Sequence, residues 1–176
     1  MRPLSIHGLL MDPDLRLPIE AEWDIPILSS GAEDFTCLTP WRVEGNVVSE
    51  NGGAVVILTA EATVTVSMPC DRCMKPVTVP LQVTVEQRFA KDPASHTEAS
   101  DSDLDFDVLP IENDQIDLEE PILQELQLAI PMKVVCQEDC KGLCPICGQD
   151  LNLGQCACKE DNRDPRWDAL MGLFSE

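Results

Sequence analysis

The chain has 176 residues, which suffices for one domain of ordinary size or for a small domain that carries a metal-stapled extension. Its 32 acidic and 12 basic side chains give a formal net charge of −20, which disfavours non-specific binding to nucleic acid and favours a basic protein partner. No run of about 18 apolar residues and no apolar core of a secretory signal occurs, so we expect a cytoplasmic protein that does not bind membranes.

Residues 1–90 are predicted to form a mainly antiparallel β domain. Three segments, 41–48, 54–68 and 77–89, are rich in strand-forming residues, and in the last two Val and Leu alternate with Thr and Glu at a period of two. Asn51-Gly52-Gly53, between the first two segments, is typical of a hairpin turn. The pattern therefore predicts an antiparallel sheet or a partly open barrel.

Residues 91–115 are predicted to be an acidic flexible linker. The stretch 91–120 holds 11 acidic residues and one lysine, and a segment this poor in apolar residues does not offset the entropy cost of ordering. The alternative interpretation is that this stretch acts as an acidic decoy for a basic or RNA-binding partner surface.

The third segment, residues 116–176, is predicted to hold a helix, a cysteine-rich region and a short C-terminal helix that packs back on the β domain. Residues 117–130 carry apolar residues at three- and four-residue spacings, as in an amphipathic helix. Pro121 is tolerated only in a first turn, so the regular part is expected to begin a few residues after 117, and Pro131 ends it.

The C-terminal helix is predicted from its start signals and its apolar face. Asp164 suits an N-cap and Pro165 suits the first helical position. Its apolar residues lie on one face: Trp167, Leu170, Met171 and Phe174. This face either docks on the protein's own core or anchors a partner.

The nine cysteines indicate metal binding. A reducing cytosol does not keep structural disulfides, but it keeps thiolates available for metals. Eight of the nine fall in close pairs, and Cys37 is left over. The pairs are Cys70/Cys73, Cys136/Cys140, Cys144/Cys147 and Cys156/Cys158.

The last two pairs are predicted to form one compact zinc ribbon. A zinc tetrathiolate needs four sulfurs, and a C-x2-C turn such as Cys144 to Cys147 supplies two of them. Cys156 and Cys158 follow closely enough to supply the others. Pro145 and Gly148 are predicted to belong to a tight turn, and glycine just past the second cysteine is able to take a positive φ at little cost.

The remaining pairs are predicted to share a second zinc, which gives two ions per chain. Cys70 and Cys73 lie at the turn between two predicted strands, whereas Cys136 and Cys140 follow the predicted helix. An ion shared by pairs so distant in sequence closes a long loop. Such an ion would cross-link the C-terminal segment to the sheet.

Three alternatives remain open for the cysteines: disulfide bonds, an iron–sulfur cluster and a redox-active dithiol at Cys70/Cys73. Catalytic zinc usually recruits histidine or carboxylate, yet the two histidines, His7 and His96, lie far from the pairs in sequence. The chain also lacks a phosphate loop, a dinucleotide fingerprint and a Ser-His-Asp order. We therefore expect no enzyme and no small-molecule substrate.

Basic residues cluster in and beside the cysteine segments. They are Arg72, Lys75, Lys133, Lys141, Lys159, Arg163 and Arg166. They either compensate the net charge of about −2 on each zinc tetrathiolate or form a patch for phosphates, as in zinc knuckles that touch RNA. Arg72, Lys75, Lys141, Arg166 and Trp167 are therefore candidate contacts with RNA or a protein partner.

Four motifs together resemble the YceD family. They are Cys70-Asp-Arg-Cys-Met-Lys-Pro after a Val/Thr strand, Leu128-Ala-Ile-Pro-Met-Lys, Cys140-Lys-Gly-Leu-Cys-Pro-Ile-Cys-Gly and Asp164-Pro-Arg-Trp-Asp-Ala-Leu. The resemblance covers most of residues 34–174. It implies a bacterial and plastid protein described as a large ribosomal RNA subunit accumulation protein, needed for normal levels of 23S ribosomal RNA.

From the residues and the resemblance we expect an α+β fold with an antiparallel sheet or partly open barrel, a packed helix and a C-terminal four-cysteine zinc ribbon. The expected function is that of a non-catalytic zinc-binding ribosome-biogenesis factor. Its expected partners are a basic ribosomal protein, a large-subunit precursor or 23S rRNA. The alternatives are a direct RNA-binding zinc-ribbon module and a thiol redox protein.

Overall fold

The structure is a computed structural model, which describes residues 3–12, 15–31, 33–50, 53–92 and 108–158. The elements in chain order are β1 (Pro3–Ser5), α1 (His7–Met11), β2 (Arg16–Trp23), β3 (Ile27–Ser30), β4 (Glu33–Cys37), β5 (Trp41–Glu50), β6 (Val55–Pro69), β7 (Pro76–Ala90), β8 (Val108–Pro110), β9 (Gln115–Asp117) and α2 (Glu119–Leu128). No helix in these ranges is long and apolar enough to cross a bilayer.

A long antiparallel hairpin, β6 with β7, forms the middle of the main sheet. The two strands pair along their whole length, from Val55 opposite Ala90 to Pro69 opposite Pro76. Val64 and Val66 are buried while Thr59 and Glu61 are exposed, as expected for strands with one covered face. The tip of this hairpin carries the first pair of cysteines.

The other edge of β6 is shared by two strands, so the sheet forks. β5 pairs with residues 55–63 of β6 and is followed outward by β2. β4 pairs with Val66 and Ser67, nearer the hairpin tip, and is followed by β3. β8 joins the free edge of β7 in parallel, and β1 and β9 form a separate two-stranded sheet.

The predicted antiparallel sheet is confirmed: over the described residues the main sheet is mainly antiparallel, and it is not closed. The three predicted strand segments correspond to β5, β6 and β7. Glu50 pairs with Val55, which confirms a hairpin connection across the Asn-Gly-Gly sequence. The strands before residue 33 carry weaker sequence signals, and the sequence alone did not predict them.

The buried face of the sheet forms one apolar core with the helices. Trp41, Val43 and Leu58 are buried there, and the same cluster includes Ile122 and Leu126 of α2, which are completely buried. Removing a buried leucine side chain from such a core costs about 2–5 kcal/mol. This core places the end of α2, and the cysteines that follow it, beside the β6–β7 hairpin.

α2 is shorter than the predicted helix over residues 117–130. Asp117 lies before it, and its side-chain oxygen accepts a hydrogen bond of 3.0 Å from the backbone N–H of Glu119. Pro121 lies in the first turn, where its missing N–H breaks no helical hydrogen bond. The sequence rule for proline therefore placed the start of the helix correctly.

Two predicted segments lie partly or wholly outside the described residues. In the predicted acidic linker, residues 108–110 form β8 and residue 115 begins β9, whereas residues 93–107 lie outside the described ranges. The predicted C-terminal helix, with Arg166 and Trp167, also lies outside them, as do His96, Lys159 and Arg163.

Candidate metal centre

The first cysteine turn closes the β6–β7 hairpin. The backbone N–H of Met74 donates to the carbonyl of Cys70 at 2.8 Å, and the N–H of Cys70 donates to the carbonyl of Lys75 at 2.8 Å. These bonds bend the chain so that Cys70 and Cys73 point to the same side. Met74 has φ +62°, a left-handed conformation that L residues other than glycine rarely adopt.

The second cysteine turn has the same hydrogen bonds at equivalent positions. The N–H of Gly148 donates to the carbonyl of Cys144 at 2.8 Å, and the N–H of Cys144 donates to the carbonyl of Gln149 at 2.8 Å. Gly148 has φ +73°, which confirms the positive φ predicted there. Met74 occupies the matching position in the first turn, where no sequence signal revealed the strained backbone.

The first four-cysteine site joins sequence segments more than 60 residues apart. The sulfur atoms of Cys70, Cys73, Cys136 and Cys140 all lie within 4.8 Å of one another. The Cys70–Cys140 sulfur distance is 3.9 Å and the Cys73–Cys136 distance is 3.6 Å. We call this group the first quartet.

The two residues inside the first turn hold the distant segment in place. Asp71 and Val134 exchange two hydrogen bonds, one from the Asp71 N–H to the Val134 carbonyl at 2.8 Å and one from the Val134 N–H to the Asp71 carboxylate at 2.6 Å. Arg72 donates from its guanidinium to the carbonyls of Cys140 at 2.7 Å and Glu138 at 3.3 Å. The Asp-Arg pair between the cysteines therefore positions the opposite half of the quartet.

The second quartet is local in sequence. The sulfur atoms of Cys144, Cys147, Cys156 and Cys158 also lie within 4.8 Å of one another. An antiparallel bridge between Leu143 and Asp150 closes the segment that carries Cys144 and Cys147. The structure thus brings the eight cysteines together in the two groups of four that their spacing suggested.

The second quartet rests on the first turn. Gly142 has φ +76°, and a Cβ there would lie 2.9 Å from the carbonyl oxygen of Arg72, so the position requires glycine. That same oxygen accepts a hydrogen bond of 3.0 Å from the N–H of Leu143. The ammonium of Lys75 lies 2.7 Å from a carboxylate oxygen of Asp150. The two quartets are therefore parts of one folded unit.

The thiols of each quartet differ in pKa because burial, backbone N–H donors and neighbouring thiols act on them to different extents. Burial raises the pKa of Cys70, but hydrogen bonds from backbone N–H groups, that of Arg72 first, lower it by a larger amount. The resulting pKa of Cys70 is about 6. Burial and its thiol neighbours, Cys140 first, raise the pKa of Cys136 to about 12. In the second quartet the hydrogen bond from the backbone of Cys147 lowers the pKa of Cys144 to about 7.

The donor set fits a cation with four thiolate ligands. Four negative sulfurs this close repel one another, so full ionisation requires a positive charge among them. Sulfurs placed about 2.3 Å from the centre of a tetrahedron are about 3.8 Å apart, and the distances of 3.6 and 3.9 Å in the first quartet agree. A disulfide would require about 2.05 Å. Zinc is one ion that this geometry suits.

The remaining candidate residues occupy different surroundings. Arg72 and Lys75 make the internal contacts described above, and Lys141 is exposed beside the first quartet. Cys37 lies apart from both quartets and accepts a hydrogen bond of 3.5 Å from the indole N–H of Trp41. The sequence did not reveal the role of Asn152, whose side-chain amide donates to the Cys140 sulfur at 3.5 Å, or that of Gly142. Neither this hydrogen bond nor the close approach of Gly142 to Arg72 leaves a spacing pattern.

Comparison with known proteins identifies a family. The protein-family model described as "Large ribosomal RNA subunit accumulation protein YceD" matches residues 58–174. The chain is 34% identical over 105 residues to an uncharacterized protein of Mycobacterium tuberculosis, a match that covers 60% of this chain and 49% of that protein. It is 28% identical over 173 residues to the uncharacterized protein YlbN of Bacillus subtilis, covering 98% and 96% of the two chains.

A plant relative carries a descriptive name. The chain is 38% identical over 66 residues to the maize protein "Large ribosomal RNA subunit accumulation protein YCED homolog 1, chloroplastic", and the match covers 35% of this chain and 22% of the relative. The chain spans about half the length of the mycobacterial relatives that it matches. No solved structure matches it.

Proposed function

Because the chain belongs to the YceD family of large ribosomal RNA subunit accumulation proteins, we propose that it is a non-catalytic zinc-binding ribosome-biogenesis factor of the cytoplasm. It supports accumulation or maturation of 23S rRNA and the large ribosomal subunit. The observation that carries this proposal is the family match over residues 58–174, because that range includes both quartets, most of the main hairpin and α2.

The proposed role of the metal is structural. Cys70, Cys73, Cys136 and Cys140 hold one zinc and join the hairpin tip to the segment after α2, and the second quartet holds another. The short sulfur distances support a single ion at each site, because in an iron–sulfur cluster the thiolates bind different irons and lie farther apart. Four thiolates close the zinc coordination shell and leave no open position for a substrate.

Redox and hydrolytic chemistry find no support in the described ranges. Neither quartet there includes a histidine or a carboxylate, which catalytic zinc usually recruits. Cys70 lies at a hairpin tip and not at a helix N-terminus, where dithiol oxidoreductases place the reactive cysteine. We therefore propose that the protein acts by binding.

The charge of the outer sheet face supports a basic protein as partner. Glu20, Glu44 and Glu61 lie directly opposite one another on β2, β5 and β6, and all three are exposed. Like charges in such cross-strand positions destabilise a sheet, and lysine or arginine side chains of a partner would relieve the repulsion. Contact with a basic ribosomal protein, free or within a large-subunit precursor, is the interaction we favour.

Direct RNA binding is the alternative, and the structure gives it less support. Arg72 and Lys75 were candidate phosphate contacts, but the first holds backbone carbonyls and the second pairs with Asp150. Lys141 remains exposed. Cations engaged in internal contacts are less available to phosphates.

A tagged pull-down from growing cells tests the proposal. Purification at low and at moderate salt should retain a basic ribosomal protein or a large-subunit precursor with 23S rRNA. Recovery of RNA alone, with binding that falls steeply as salt rises, would favour the RNA-binding alternative. Recovery of neither ribosomal protein nor ribosomal RNA would contradict the proposed function.

Isosteric variants make the pull-down specific for the outer face. Glu44→Gln with Glu61→Gln removes two of the three facing carboxylates and relieves repulsion, so weaker capture would not reflect loss of folding. Glu22→Gln is the matched control, because Glu22 on the same face already pairs with Arg42 at 3.5 Å. We expect the double variant to capture less partner than the control, and equal capture would exclude this face as the contact.

A further inference from the structure

Asn152 belongs to the second quartet by sequence but touches the first. It lies between Cys147 and Cys156, in the loop that brings the second quartet together. Its side-chain N–H group nevertheless lies 3.5 Å from the sulfur of Cys140, to which it donates. The loop of one site therefore supplies a hydrogen bond to a ligand atom of the other.

The contacts of Asn152 fix the orientation of its amide. The oxygen accepts a hydrogen bond of 2.8 Å from the N–H of Lys141. The nitrogen donates to a carboxylate oxygen of Asp150 at 2.8 Å, and the backbone N–H of Asn152 donates to the same oxygen at 2.9 Å. Exchanging the amide oxygen and nitrogen would set two acceptors against each other at Asp150, so the nitrogen must face the sulfur.

A second contact connects the same loop to the first quartet. Asp150 places its other carboxylate oxygen 2.7 Å from the ammonium of Lys75, two residues after Cys73. Asp150 thus holds the Asn152 amide with one oxygen and the first cysteine turn with the other. The positions of Asn152 and the first quartet depend on each other through this arrangement.

We propose that Asn152 is a positioning residue that couples the two metal sites, so that the first quartet reaches its full metal affinity only when the loop of the second quartet is folded. The inference rests on the metal occupancy proposed above. By thermodynamic reciprocity, metal at the first quartet also stabilises the loop of the second.

The physical basis is the charge on the Cys140 sulfur. A thiolate in a tetrathiolate site with net charge of about −2 is stabilised by N–H donors that share its charge. Loss of such an outer donor typically reduces metal affinity by about 10–100-fold.

Site-resolved thiol labelling tests the coupling. The metal-loaded full-length protein is titrated with a chelator, labelled with a maleimide and digested with trypsin. Cleavage after Lys133, Lys141 and Lys159 separates Cys136 and Cys140 from the four cysteines of the second quartet. The chelator concentration that half-labels each peptide then reports the metal affinity of each quartet separately.

Two substitutions test the donor role of Asn152. Asn152→Ala removes the whole amide. Asn152→Asp keeps an oxygen for the Lys141 N–H but replaces the donor that faces the Cys140 sulfur and Asp150 by a charged acceptor, so it tests the loss of the donor while the side-chain volume is kept. Leu153→Ala is the matched control, since Leu153 lies in the same loop and is 81% exposed.

We expect both Asn152 variants to lower the half-labelling concentration of the peptide with Cys136 and Cys140 by about 10–100-fold, while Leu153→Ala leaves it unchanged. Wild-type labelling of that peptide in Asn152→Asp would overturn the coupling. So would a change confined to the second-quartet peptide. Full labelling of the wild-type protein, as purified and without chelator, would contradict metal occupancy itself and is distinguishable from both.

Discussion

Replacing Gly142 by alanine should loosen the contact between the two quartets. Adopting φ +76° costs a non-glycine residue about 1–2 kcal/mol. The new Cβ would lie 2.9 Å from the carbonyl oxygen of Arg72, which must move away from the Leu143 N–H that it accepts at 3.0 Å. Loss of that hydrogen bond adds about 0.5–1.5 kcal/mol. The total expected loss of stability is about 1.5–3.5 kcal/mol.

Gly31→Ala is the control that isolates the backbone cost. Gly31 also has a positive φ, +63°, but no atom lies within 4 Å of its added Cβ. A chain of this size loses about 2–4 °C of melting temperature per kcal/mol. Thermal melting of the two metal-loaded variants should therefore show a melting temperature for Gly142→Ala that is about 1–6 °C below that of Gly31→Ala. Equal melting temperatures would refute the view that Gly142 is required by its contact with Arg72.

Three further predictions concern the quartets and one charged turn. Cys73→Ser and Cys147→Ser should each lower the zinc content by one ion. Thiol labelling followed by tryptic digestion should place the loss in the first quartet for Cys73→Ser and in the second quartet for Cys147→Ser. A loss confined to the second quartet in Cys73→Ser would contradict the grouping. Arg72→Lys removes the terminal guanidinium nitrogen, Nη1, which donates to the carbonyls of both Cys140 and Glu138, and the shorter lysine side chain does not place a donor there. Chelator titration should therefore show weaker metal retention at the first quartet. The hydrogen bond from His7 lowers the pKa of Asp114 below its usual 3.8, so the ionised carboxylate stabilises the fold and Asp114→Asn should destabilise it at neutral pH. Urea unfolding should show that the difference in unfolding free energy between the wild type and this variant disappears as the pH falls below 3.8 and through the lowered pKa.

Local chemical rules predicted much of the candidate site. A C-x2-C turn supplies two thiolates and zinc takes four, so the spacing alone separated a local quartet from one that includes Cys70. Gly148 followed from the φ that such a turn requires. The helix start near Pro121 followed from the missing N–H of proline. Each of these signals lies within a few residues of its effect.

Features that depend on long-range contact left no such signal. The shared edge of β6, where β5 gives way to β4, results from strand pairings between distant segments. The hydrogen bond from Asn152 to Cys140 depends on how the second quartet rests on the first. Met74 takes a positive φ because the first turn has the same hydrogen bonds as the second, although its side chain does not favour that conformation.

The most direct test of the central claim is the ratio of 23S to 16S rRNA in cells depleted of the protein. The proposed function predicts that depletion lowers this ratio and that the wild-type chain restores it, whereas Cys73→Ser with Cys140→Ser, which dismantles the first quartet, does not. An unchanged ratio after complete depletion would contradict a role in large-subunit rRNA accumulation.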